Sequence, residues 1–129
     1  MTPEKEEALI AKYPSIFRDC NGEDETVTCM AAGLCVGDGW CDLIDELCAE
    51  IMKLEDIPDF KASQVKEKFG GLRFYTSGGD DKSYKLVCAA ETFSFCVCEA
   101  CGSKENVTTS GGWLATRCHA CRNPPRDSK

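Results

Sequence analysis

Histidine is nearly absent from this chain: one occurs in 129 residues. A nucleophilic serine or cysteine needs a base beside it, most often histidine. The single candidate, His119, lies inside a Cys-x-x-Cys pair, where it reads as an exposed loop residue. No HExxH, GxSxG or GxxxxGK[ST] occurs, nor the His-x-Glu of zinc deaminases. Long apolar runs are missing too. No segment approaches the roughly 18 continuous apolar residues of a membrane span. The opening MTPEKEEALI is acidic and has no apolar stretch of the secretory kind. These absences predict a non-enzymatic, intracellular protein without a membrane partner.

Cysteine, by contrast, is abundant, at 11 residues. An odd count in a reducing compartment argues against a disulfide framework, so some cysteines should ligate metal and the others pack as small hydrophobes. The segment CEACGSKENVTTSGGWLATRCHAC holds two Cys-x-x-Cys pairs, and Gly102 to Arg117 lie between them. Each pair makes a tight turn whose amides face the thiolates, and two such knuckles give tetrahedral sulfur coordination. The spacing predicts one structural metal ion on Cys98, Cys101, Cys118 and Cys121: zinc, or iron as the rival. Gly102 suits the left-handed position that closes a knuckle. Arg117, Arg122 and Lys104 lie close enough in sequence to offset the excess negative charge. Cys20, Cys29, Cys35, Cys41, Cys48, Cys88 and Cys96 form no further pair of this kind.

The net charge of −7 is unevenly spread. Residues 1–60 carry 15 acids against 4 bases, and residues 61–129 carry 7 acids against 11 bases. The first half should repel nucleic acid and suit a basic protein surface.

Local patterns divide the chain further. Thr2, Pro3 and Glu4 open a helix that stops before Pro14. Ile16 and Phe17 anchor its exit. Residues 21–26, NGEDET, form an acidic loop. Trp40, Leu43, Ile44, Leu47, Cys48, Ile51 and Leu54 make one apolar stripe of helical period. Asp38 is its expected N-cap, and Asp42, Asp45, Glu46 and Glu50 line the opposite face, solvating the helix rather than building a carboxylate metal site. VKEKFGGLRFYT predicts a hairpin around Gly70-Gly71, or one bulged strand. A helix over 82–95 should turn Tyr84, Val87, Cys88 and Phe95 inward. Phe74 and Trp113 read as core. The expected architecture is α+β, with helices on a short antiparallel sheet and a C-terminal zinc ribbon. Its parts are an acidic helical and hairpin portion (1–95), a ribbon packed on it (96–123) and a tail (124–129).

The strings GDGWCDLIDELC (Gly37 to Cys48), VKEKFGGLRFYTSGG (Val65 to Gly79), CEACG and GWLATRC, with Tyr13-Pro14 and Phe17, resemble a family of small zinc-ribbon proteins encoded by bacteriophages and prophages. The resemblance covers most of residues 13–121. It implies a bacterial host cytoplasm and a genomic setting rather than an activity. Small acidic phage proteins without catalytic residues, zinc-containing anti-CRISPR proteins among them, are often inhibitors of host defence. The implied role is a binding protein that blocks nucleic-acid loading of a type II CRISPR nuclease. Its expected partner surface is Glu23, Asp24 and Glu25 with Asp42, Asp45, Glu46 and Glu50. The alternative is a nucleic-acid-binding or transcription-modulating ribbon, using Lys66, Lys68, Arg73, Lys82 and Lys85 with Phe74, Tyr75 and Trp113.

Overall fold

A computed structural model describes residues 1–21, 33–54 and 59–122. Helix α1 (Pro3–Lys12) begins with Pro at its first position and acids in its first turn, and ends at Tyr13 before Pro14. Thr2 occupies the N-cap, but its side chain makes no capping bond. Its amide instead donates to the Asp38 carboxylate at 2.7 Å. Asp38 therefore serves α1 and does not cap the next helix. A 3₁₀ turn over Asp38–Trp40 intervenes, and α2 runs Cys41–Met52.

The stripe read from the sequence is buried from Trp40 to Ile51, whereas Leu54, its expected last member, lies past the end of α2 and is half-buried. Trp40, Leu43, Ile44, Leu47, Cys48 and Ile51 all face the core with Leu9, Tyr13, Ile16 and Phe17. Each large side chain fully removed from water contributes about 1.5–3 kcal/mol, which makes α2 the backbone of the hydrophobic core.

The sheet facing these helices has the order β1-β2-β3. Strands β2 (Lys61–Lys68) and β3 (Gly71–Ser77) form the antiparallel hairpin. The two-residue strand β1 (Leu34–Cys35) adds a parallel neighbour to β2, so the sheet is mixed rather than purely antiparallel. The hairpin loop is Phe69-Gly70, with φ of +54° and +84°. Both values lie in the left-handed region that a two-residue primed turn requires. Gly71 is already in the strand, opposite Lys68. The register shift falls at the other end of β2, between Ala62 and Gln64. Val65, Leu72 and Phe74 point into the core, where the Phe17 and Phe74 rings meet edge to face at 6.3 Å. The opposite face of the hairpin carries Lys66, Lys68, Arg73 and Tyr75.

Helix α3 (Asp81–Phe93) starts from a capping box: Asp80 accepts the Ser83 amide, and the Ser83 hydroxyl accepts the Asp80 amide. Because Ser83 closes this box it is buried, and the inward stripe becomes Ser83, Val87, Ala90 and Ser94. Tyr84 is consequently 68% exposed, not inward, and Phe95 also faces outward. Strand β3 lies at the sheet edge, where unpaired amides need partners. α3 and the turn after it supply them: Leu72 donates to the Ser94 hydroxyl and Phe74 to the Glu91 carboxylate, each at 2.9 Å. Among the described residues no helix is long and apolar enough to cross a membrane.

Candidate metal centre

The C-terminal unit is a small antiparallel hairpin, β4 (Val107–Ser110) and β5 (Ala115–Cys118), followed by a single helical turn, α4 (His119–Arg122). The first knuckle precedes β4 and the second spans the end of β5 and α4. Gly102 closes the first with φ +84°, and its amide donates to the Cys98 carbonyl at 2.9 Å. Arg122 draws the second knuckle over the hairpin. Its guanidinium donates to the carbonyls of Ala115 at 2.7 Å, Thr108 at 2.8 Å and Ser110 at 3.3 Å.

This folding brings the sulfurs of Cys98, Cys101, Cys118 and Cys121 within 4.8 Å of one another. A disulfide would put two of them about 2.05 Å apart. A tetrahedral centre with metal–sulfur bonds of about 2.3 Å has an edge of about 3.8 Å. The Cys101 and Cys118 sulfurs are 3.6 Å apart, the spacing of a coordination edge. The four residues therefore form a site able to hold one metal ion, and it is the one such cluster among the described residues.

Electrostatics point the same way. Burial pushes the Cys98 thiol up, but the backbone amides of Cys118, Cys101 and Ala100 outweigh it and bring the thiol down to about 6. The neighbouring thiols of Cys101, Cys118 and Cys98 push Cys121 up to about 12. One thiolate thus forms readily, while a full set of four like charges requires a cation in their midst. His119 is exposed and belongs to none of the ligand set; its amide donates to the Asn106 carbonyl at 3.0 Å. Lys104 places its ammonium over the Phe93 ring, 5.5 Å from the centroid.

The Gly-Asp-Gly-Trp string (Gly37 to Trp40) has a further physical task here. It clasps the first knuckle. Gly39 donates its amide to the Glu99 carbonyl at 2.7 Å, and Gly37 donates to the Glu99 carboxylate at 3.0 Å. The buried Trp40 indole donates to the Val97 carbonyl at 2.9 Å. A Cβ on Gly39 would lie 2.1 Å from the Cys98 carbonyl oxygen and 2.5 Å from the Gly102 nitrogen. Only glycine allows the two backbones to approach so closely. On the other side of the ribbon, the buried Thr116 hydroxyl hydrogen-bonds to the Gly70 carbonyl and to Thr109, fastening the β2–β3 turn.

The expected partner surface divides. Asp42, Glu46 and Glu50 share an exposed face of α2. Asp45 leaves that face: it accepts from the Tyr13 hydroxyl and pairs with Lys12 at 3.0 Å, tying α1 to α2. Glu23, Asp24 and Glu25 lie outside the described residues, as does Cys29. Glu46 and Glu50 border an open groove of about 300 Å³ between α2 and α3, floored by Leu43, Leu47, Leu86, Ala90 and Phe93, and Asp42 lines an adjoining pocket of about 100 Å³ that shares Leu43, Glu46 and Phe93 with it. Sequence reasoning missed this floor because its halves come from helices some forty residues apart. Trp113, expected in the core, is 86% exposed at the tip of the β4–β5 turn. Arg73 stays on the outer face of the main hairpin. No protein-family model, no curated protein and no solved structure matches the chain.

Proposed function

We propose that this chain is a non-enzymatic binding protein of phage origin, stapled by one zinc ion, which grips a basic host protein and so inhibits a host defence machine. Four thiolates fill a tetrahedral centre and leave no open coordination position, so the ion's role is structural. Its binding contributes on the order of 10 kcal/mol to folding of the ribbon. Zinc rather than iron is the expected ion, and the two differ visibly: a four-sulfur iron site is coloured and a zinc site is not. Elemental analysis of protein purified from bacteria should give one zinc per chain; one iron would reverse the assignment.

The observation that carries the binding role is the groove between α2 and α3. Its apolar floor is rimmed by Glu46 and Glu50, with Asp42 in the pocket that adjoins it. Such a groove suits an amphipathic helix whose apolar side enters it while lysines or arginines meet the carboxylates. The nucleic-acid channel of a type II CRISPR nuclease offers such basic segments, and that enzyme is the first target to test. Replacing Asp42, Glu46 and Glu50 by lysine should weaken binding at least tenfold while leaving metal content unchanged. Unaltered affinity would remove the groove from the interface. Undiminished DNA cleavage by a nuclease saturated with the wild-type protein would remove the nuclease as the target.

A further inference from the structure

We propose a second binding site, for single-stranded nucleic acid, on the outer face of the β2–β3 hairpin and the adjoining tip of the β4–β5 turn. It shares no residue with the α2–α3 groove, and the proposal stands or falls independently of that docking surface.

The site begins with strand periodicity. Lys66 and Lys68 are two residues apart on β2, and Arg73 is the cross-strand partner of Lys66, so all three project from one face. Among the described residues none of them has a carboxylate partner, whereas Lys12, Lys53 and Lys61 each have one. The Arg73 Nε atom is buried and lacks a hydrogen-bond partner there. Three cations without a carboxylate partner among the described residues, on a chain of net charge −7, form a local field opposite to that of the whole. The one acid lining this region, Glu67, is held in the turn, accepting the Gly70 amide at 2.6 Å.

Aromatic surface lies beside this charge. Phe69 is 66% exposed at one hairpin tip and Trp113 is 86% exposed at the other. Between the tips runs an open cleft of about 460 Å³, lined by Lys66, Lys68, Phe69 and Trp113. Tyr75, on the same face as Arg73, extends the strip. Neither Phe69 nor Trp113 is held by the core, so stability does not explain them there. The Lys68 ammonium lies over the Phe69 ring, 5.5 Å from its centroid, and rings interleaved with cations that have no carboxylate partner among the described residues match the two demands of a single strand: faces for bases to stack on and charges for phosphates. A duplex hides its base faces, and protein interface cores are depleted in lysine, so neither fits the strip as well.

The chain carries its own probe. Trp40 is fully buried and Trp113 is not, so a ligand that stacks here quenches one indole alone. Metal-loaded protein titrated with an oligouridylate of about ten nucleotides should show saturable quenching at low salt. The affinity should fall with salt at a log–log slope of about −2, the value for three phosphates of a single strand. Replacing Lys66, Lys68 and Arg73 by glutamine should flatten that slope, and Trp113→Ala should weaken binding of a labelled oligonucleotide about fivefold or more. Both variants change exposed or half-buried positions, and one metal per chain verifies that they are folded. The proposal is overturned by absence of saturable quenching, by equal binding of a blunt duplex, or by undiminished affinity in Trp113→Ala. Loss of a host-protein interaction in the triple variant, without oligonucleotide binding by the wild type, would assign the face to protein and overturn it equally.

Discussion

Replacing Gly39 by alanine adds one methyl group and should cost about 2–4 kcal/mol, because that methyl separates two backbones. The magnitude comes from the clasp. The new Cβ would meet three backbone atoms of the first knuckle, at 2.1, 2.5 and 2.6 Å, and none is the end of a flexible side chain that can swing away. The loop must withdraw. Three hydrogen bonds are then lost or stretched: Gly39 amide to Glu99 carbonyl, Gly37 amide to Glu99 carboxylate, and Trp40 indole to Val97 carbonyl. Each contributes about 0.5–1.5 kcal/mol, and the buried indole pays a further desolvation penalty if it stays unpaired. For a chain of this size the loss corresponds to a Tm lower by about 10 °C. The assay is thermal unfolding of the metal-loaded protein followed by circular dichroism, with metal stoichiometry determined on the same sample. Gly112→Ala is the control, since nothing lies within 4 Å of its Cβ position. A Gly39→Ala shift within about 2 °C of that control would refute the clasp as a determinant of stability.

Thr116→Val keeps the shape of a buried side chain but strands the Gly70 carbonyl and the Thr109 hydroxyl; urea unfolding should show a loss of about 1–3 kcal/mol. The Asp45 carboxyl is held below its ordinary 3.8, first by the Tyr13 hydroxyl and then by Lys12. Its stabilisation is complete above that ordinary value and is lost as pH falls through the depressed one, so Tyr13→Phe should make the acid limb of the urea midpoint shallower as pH falls below about 5. Iodoacetamide should modify the exposed Cys35 and Cys96 of metal-loaded protein, spare the buried Cys48, and reach Cys98, Cys101, Cys118 and Cys121 only after chelation, as peptide mapping would record.

The four-cysteine cluster was legible from the sequence because a Cys-x-x-Cys pair carries its geometry within four residues. The α2 stripe was legible for a similar reason, since helical period converts spacing into a face. What failed was information held by distant partners. Gly37 to Trp40 could be noticed as a motif, but its meaning sits at Val97 and Glu99. Tyr84 was misplaced because two small polar residues, Ser83 and Ser94, outcompeted it for the interior through bonds to Asp80 and Leu72. Trp113 was misread as core because bulk and apolarity say nothing about position in a turn. Asp38 was expected to cap α2 and Asp45 to solvate it, but Asp38 accepts from Thr2 at the start of α1 and Asp45 from Lys12 and Tyr13 at its end. The antiparallel hairpin was foreseen, whereas β1, only two residues long, gives no period to read.

The clasp also sets a timetable for synthesis. Trp40 and Val97 are 57 residues apart, and Gly37 and Glu99 are 62 apart. At about 5–20 residues per second, the ribosome needs about 3–12 s to deliver the second half after the first has emerged. During that interval the start of α2 has no acceptor for its indole and no knuckle against its glycines. The last cysteine of the cluster, Cys121, emerges later still. A growing chain interrupted before Val97 therefore leaves the Trp40 indole without the acceptor it has in the folded protein.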